Sequence, residues 1–103
     1  MAVKTYNGKS VDVNEEGYLT DLSQWDKTVA ESIAAEEGIE MTDRHWAVIN
    51  YLQDQYKNEV ALSIRRIKQS GVVDIKELYE LFPKGPLKLS TKIAGIPKPA
   101  SCV

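Results

Sequence analysis

The one thiol of this 103-residue chain stands at its next-to-last position, Cys102. Its thiolate is the form that acts as nucleophile or metal ligand. It closes a tail reading Gly95-Ile96-Pro97-Lys98-Pro99-Ala100-Ser101-Cys102-Val103. A buried structural cysteine sits among apolar neighbours in a helix or strand, whereas a thiol on the last residues has almost no core to join. The two prolines favour an extended, polyproline-like arm, and Gly95 supplies a hinge before it. At about 3.1 Å per residue, nine such residues could carry the thiol roughly 28 Å from the body. That is the geometry of a group presented to other proteins. An unstructured terminus with an incidental cysteine has an equal claim on the same residues.

Other side chains with chemical potential are sparse. His45 is the single histidine, and no cluster of acids or further cysteines gives it metal-ligand company, so a solvent-facing helix position is expected. No nucleophile–base pair, glycine-rich phosphate loop or paired carboxylates stand out. Lys84, Lys88 and Lys92 recur every four residues and would line one helix face that leads into the tail. Such a stripe is either a solvated surface or a docking face, and position alone does not separate the two. Residues 60–82 could pass as a helix-turn-helix with Arg65, Arg66 and Lys68 on phosphates. The acids Glu59, Asp74, Glu77 and Glu80 around it argue against DNA binding.

The net charge of −2 hides an uneven distribution. Residues 1–83 carry nine Lys/Arg against fifteen Asp/Glu, while residues 84–103 carry Lys84, Lys88, Lys92 and Lys98 and no acid. A domain acidic over most of its length lacks the broad basic face of a nucleic-acid binder. Its length suits one domain with a single core, and its 43% hydrophobic and 27% charged residues are ordinary for a soluble globular protein. No apolar run approaches the roughly 20 residues of a membrane span, and the start Met1-Ala2-Val3-Lys4-Thr5 lacks the apolar stretch of a secretory signal. One cysteine allows no internal disulfide. The expectation is a cytoplasmic protein.

The elements that must position the thiol emerge from the patterning. Val3–Tyr6 and Lys9–Val13 flank Asn7-Gly8, the strongest two-residue hairpin signal, and Gly17-Tyr18-Leu19 could add a third short strand. Asp21 or Ser23 can cap a helix over about 24–37, with Trp25, Val29 and Ile33 on its stripe and Gly38 just past its end. Thr42 or Asp43 starts a second helix with Trp46, Ile49, Leu52 and Tyr56 on one face. A third spans about 60–69 with Val60, Ile64 and Ile67, ended by Gly71. Asp74 opens a fourth with Ile75, Leu78 and Phe82, stopped by Pro83. Pro86 suits the first position of a fifth. The predicted fold is α+β: a small N-terminal hairpin or meander packed on an array of about five helices, residues 1–94, followed by a flexible arm, residues 95–103.

The block Tyr79-Glu80-Leu81-Phe82-Pro83-Lys84-Gly85-Pro86, then Thr91-Lys92-Ile93-Ala94-Gly95-Ile96-Pro97-Lys98-Pro99 and the closing Cys102-Val103, resembles the C-terminal signature of the DsrC/TusE family of small sulfur-carrier proteins, which includes the gamma subunit of dissimilatory sulfite reductase. The resemblance covers nearly the whole chain. Asn7-Gly8-Lys9, Glu16-Gly17-Tyr18-Leu19, Gln24-Trp25 and Thr42-Asp43-Arg44-His45-Trp46 match earlier family blocks in order.

The resemblance implies that Cys102 accepts and passes on sulfur as a persulfide, and that the arm swings it into a partner's active site. The branch acting with sulfite reductase carries a further cysteine eleven residues earlier, where this chain has Thr91. The chain is thus similar to the single-cysteine, TusE-like branch, whose members relay persulfide sulfur, for example toward tRNA 2-thiouridine. Ser101 replaces the usual glycine before the final cysteine. The stretch Asn58–Arg65 lacks a family proline and is one residue shorter, while Arg65 matches a basic position that faces the arm. A free thiol with a pKa near 8.5 is only a few per cent thiolate at pH 7. Cations within reach of the arm, Lys98, Lys92 and Arg65, would raise that fraction and hold an anionic persulfide.

These expectations describe a carrier rather than an enzyme, with no cofactor beyond a transient cysteine persulfide. Its partners would be protein sulfur donors and acceptors: Tus- or Dsr-type relay proteins, a sulfite reductase or a heterodisulfide-reductase-like complex. Neither direct nucleic-acid contact nor a membrane is expected. The docking residues are Arg65, Lys84, Lys88, Lys92 and Lys98. The competing class is a non-catalytic gamma-type subunit or regulator that docks on such a complex and makes little use of its thiol.

Overall fold

A computed structural model describes residues 2–6, 8–60 and 62–98. The chain opens with the expected hairpin, β1 (Ala2–Tyr6) antiparallel to β2 (Lys9–Val13), with Tyr6 opposite Lys9. That register leaves a two-residue turn in which Gly8 takes φ +83°, as turns matching the strand twist require. Val11 and Val13 alternate inward on β2 and are buried. The third strand is reduced to one bridge, Val13 with Leu19.

Among the described residues five α-helices come after the hairpin: α1 (Lys27–Glu36), α2 (Asp43–Lys57), α3 (Ile64–Ser70), α4 (Ile75–Leu81) and α5 (Pro86–Ile93). The architecture is α+β as predicted, and no helix among the described residues is long and apolar enough to cross a membrane. Helix α5 packs against α1, α2 and α4, with Leu87, Leu89 and Ile93 buried.

Several boundaries differ from the predicted ones. A short 3-10 turn, Leu22–Gln24, uses the Asp21 cap, and α1 starts afresh at Asp26, whose carboxylate accepts from the Val29 N–H at 2.8 Å. Trp25 therefore lies between helices. On α2 the buried face is His45, Val48, Ile49, Leu52 and Gln53, a stripe rotated from the predicted one, which leaves Trp46 half-buried and Tyr56 42% exposed. Ile75 on α4 is exposed, while Leu78 and Phe82 are buried.

Val60 does not begin α3. It completes the end of α2: Glu59 stands in the left-handed region at φ +59°, its N–H donates to Tyr56 O, and the Val60 N–H reaches Gln55 O at 2.9 Å. This is a Schellman motif. Gly38 and Ile39 close α1 in the same way, through Ala35 O and Ala34 O. Helix α3 starts only after Ser63, which accepts from the Arg66 N–H.

His45 is a correction. It is 6% exposed rather than solvent-facing. Its Nδ1 accepts from the Thr42 backbone N–H at 3.1 Å and its Nε2 meets Leu81 O at 3.0 Å, so the ring fits as the Nε2–H tautomer. A histidine here takes the glutamate's part in a capping box, caps α2, ties it to α4 and packs edge-on against Phe82.

Candidate functional site

Helix α5 leads directly into the cysteine-bearing tail, and three side chains from elsewhere grip its backbone. The Tyr18 hydroxyl donates to Lys88 O at 2.9 Å, the Trp25 indole N–H to Ile93 O at 2.7 Å, and the buried Gln53 amide to Ala94 O at 2.7 Å. Two of these bonds fall on carbonyls at the helix end, where no intrahelical N–H reaches. The helix then closes with a third Schellman motif, Gly95 N–H to Lys92 O and Ile96 N–H to Thr91 O, both 3.2 Å.

Gly95 has φ +74°, and a Cβ there would lie 2.5 Å from Trp25 Cδ1. This glycine is a packed cap rather than a hinge. Ile96 is fully buried. Residues 95 and 96 therefore belong to the body, and the chain emerges at Pro97 and Lys98, which are exposed. Cys102 and the remainder of the tail, from Pro99 onward, lie outside the described residues. From Ile96 to Cys102 the chain can span at most about 21 Å, less than the reach predicted for an arm starting at Gly95.

Beside the point of emergence stands a tight turn, residues 14–18. The Asn14 side chain accepts from the Glu16 and Tyr18 N–H groups, Asn14 N–H donates to Tyr18 O, and Gly17 takes φ +85°. Between this turn and α5 lies a groove of about 270 Å³, lined by Glu16, Tyr18, Glu37 and the lysines Lys84, Lys88 and Lys92. The predicted stripe thus does share one face. Its charges are not equivalent, however. Lys92 pairs with Glu37 at 2.9 Å, both largely buried at 16% and 24% exposure. Lys84 and Lys88 are exposed, and their ammonium groups make no hydrogen bond or ion pair among the described residues.

Lys98 reaches back to the same turn, its Nζ 2.8 Å from Glu16 Oε2. That hydrogen bond, aided by the charge of Lys88, holds the Glu16 carboxyl below the usual carboxylate range. Arg65 is exposed on α3 and does not line this groove. Thr91 is buried within α5, its hydroxyl donating to Leu87 O at 2.7 Å.

The sequence reading missed Glu16 and Glu37 as partners of the basic segment, and Tyr18, Trp25 and Gln53 as its clamps. Gln53 carried a signal: it sits at helical spacing from Ile49 on an apolar face, where a polar group needs a partner.

A family model described as DsrC like protein matches residues 5–103. The Salmonella typhimurium protein named sulfurtransferase TusE is 39% identical over 106 residues, covering 95% of this chain and 97% of its own. The dissimilatory-type sulfite reductase subunit gamma of Nitratidesulfovibrio vulgaris is 42% identical over 105 residues and aligns along the whole of both chains. The solution structure of DsrC from Allochromatium vinosum superposes with a TM-score of 0.84 at 36% identity, over 98% of this chain and 97% of the other.

Proposed function

The chain belongs to the DsrC-like family, and from that membership we propose that it is a sulfur carrier whose working atom is the Cys102 sulfur. One observation carries the reading: a full-length match to a sulfurtransferase falls on a chain with a single thiol. Handing on sulfur without a bound cofactor requires a nucleophilic sulfur, which a methionine thioether does not supply.

The step balances with no external oxidant. The Cys102 thiolate attacks the outer sulfur of a donor persulfide, the donor's S–S bond breaks, and the donor cysteine leaves as its thiolate. Cys102 then holds the new S–S bond, with the terminal sulfur anionic, and delivery to an acceptor thiolate repeats the exchange in reverse. Donor and acceptor are proteins that approach from the α5 side, where Lys84 and Lys88 would steer an acidic surface toward the tail. Among downstream routes, tRNA thiolation suits the sulfurtransferase relatives.

The test is mass spectrometry after incubation with a persulfide donor. A gain of one sulfur on Cys102 is expected, and its absence where a known carrier loads would overturn the reading. The 42% identity to a sulfite reductase gamma subunit favours one second reading, a docking subunit that makes little use of the thiol. That reading predicts stable association with a reductase complex and no sulfur gain.

A further inference from the structure

We infer that Glu16 is a positioning residue for sulfur transfer: by pairing with Lys98 it fastens the root of the cysteine-bearing tail to the turn at residues 14–18. The transfer half of this inference rests on the sulfur-carrier reading above. The structural half stands without it.

Both ends of the Glu16–Lys98 contact are prepared. On one side the turn is closed by the Asn14 side chain and by the Asn14–Tyr18 backbone bond. The turn is pinned to α5 by the Tyr18 hydroxyl and packs Gly17 against the Lys92 stem, which a Cβ at Gly17 would meet at 3.2 Å. On the other side Lys98 comes two residues after the buried Ile96, so its backbone leaves a fixed point. An exposed ion pair is weak chiefly because two mobile side chains must be ordered and water competes. Here the backbone of the turn is already placed and Lys98 lies only two residues beyond the buried Ile96, which reduces that ordering cost.

The consequence is geometric. With Lys98 held, four residues separate the fixed point from Cys102, a reach of at most about 14 Å; released, six residues give about 21 Å. The anchor would therefore narrow the volume open to the thiol to the surroundings of Glu16, which lines the groove bearing Lys84 and Lys88. A protein donor docking on those lysines would meet the thiol there. A small donor has no such requirement.

The lone cysteine makes the test direct, because a nitroxide can be attached to Cys102 alone. In the wild type, relaxation enhancement should be concentrated on the amides of residues 15–18. In E16Q it should fall by at least twofold, the scale on which an exposed ion pair shifts a two-state equilibrium. The exchange E16K/K98E should recover at least half of the loss, with the rest withheld because Lys88 also faces position 16. No change in E16Q overturns the anchor. A loss in E16Q that the exchange leaves unrecovered also overturns it, since the turn itself would then be at fault.

In transfer assays at low salt, E16Q should receive sulfur from a protein donor about two- to fivefold more slowly, while loading from inorganic polysulfide stays unchanged. Equal loss with both donors overturns the positioning role. If the wild type does not load at all while the relaxation pattern behaves as expected, the carrier reading fails and the anchor stands.

Discussion

Cys102 and Gly95 sit seven residues apart and predict opposite outcomes when replaced. Among the described residues, buried side chains run from Tyr6 to Ile96, and Cys102 lies outside them. Cys102→Ser should abolish sulfur loading and lower Tm by less than about 3 °C. A thermal scan showing a fall of many degrees would mean that the thiol is structural. Gly95→Ala removes no chemistry yet should be costly. Its backbone lies at φ +74°, and the added Cβ would press on Trp25, whose indole caps Ile93 O. A loss of about 1–3 kcal/mol in denaturant unfolding is expected. An unchanged midpoint would show that Trp25 can yield without disturbing the end of α5.

Three helices end in the same motif, but α2 does so with Glu59 where α1 and α5 use glycine. A left-handed non-glycine residue costs roughly 1–2 kcal/mol of conformational energy. Glu59→Gly relieves that strain and adds freedom to the unfolded chain, so a net gain of about 0.5–1 kcal/mol is expected from chemical denaturation. Destabilisation would show instead that the Glu59 side chain makes a compensating contact. Helix α5 supports a separate prediction about its lysines. Because Glu37 already neutralises Lys92, docking charge rests on Lys84 and Lys88. The double variant K84Q/K88Q should slow transfer from a protein donor and flatten its salt dependence, with stability unchanged. Wild-type rates at low salt would make the stripe a solvated surface only.

Across the whole molecule, acid should loosen the links between elements before it reaches the core. Arg44 holds Glu77 below the ordinary carboxylate range, joining α2 to α4. Lys98 does the same to Glu16, and the Val29 N–H together with Lys9 does so to Asp26, joining β2 to α1. Each pKa is lower folded than unfolded, so between the two values the unfolded chain binds more protons and stability rises with pH. Their contribution is complete above the unfolded carboxylate range, near pH 4, and is lost as pH falls through the folded values. Tm should be flat from about pH 5 to 7 and fall below about pH 4. E77Q should shallow that fall, and an equally steep acid limb in the variant would remove the Arg44–Glu77 pair from the account.

Much of this architecture is readable along the chain. Asn7-Gly8, Asp74, Pro86, Gly38 and Gly71 mark turns and helix ends through local backbone chemistry, which operates over a few residues and leaves its signature in them. Cys102 is equally plain, since a solitary thiol is visible in composition alone. The errors arise where a residue answers to a distant partner. Trp25 has helical spacing, but its indole is drawn to Ile93 O, 68 positions away. His45 has no metal-ligand neighbours in sequence, yet Leu81 O and Phe82 converge on it through α4. Glu59 gives no sign of ending a helix, because glycine or asparagine ordinarily marks the left-handed position past a helix end. Gly95 reads as a hinge until Trp25 is seen against it. The pairing of Lys92 with Glu37 and of Lys98 with Glu16 spans 55 and 82 positions. Periodicity and propensity encode how a segment folds on itself; which charges cancel and where a tail leaves the body depend on contacts that exist only once separate segments are packed together.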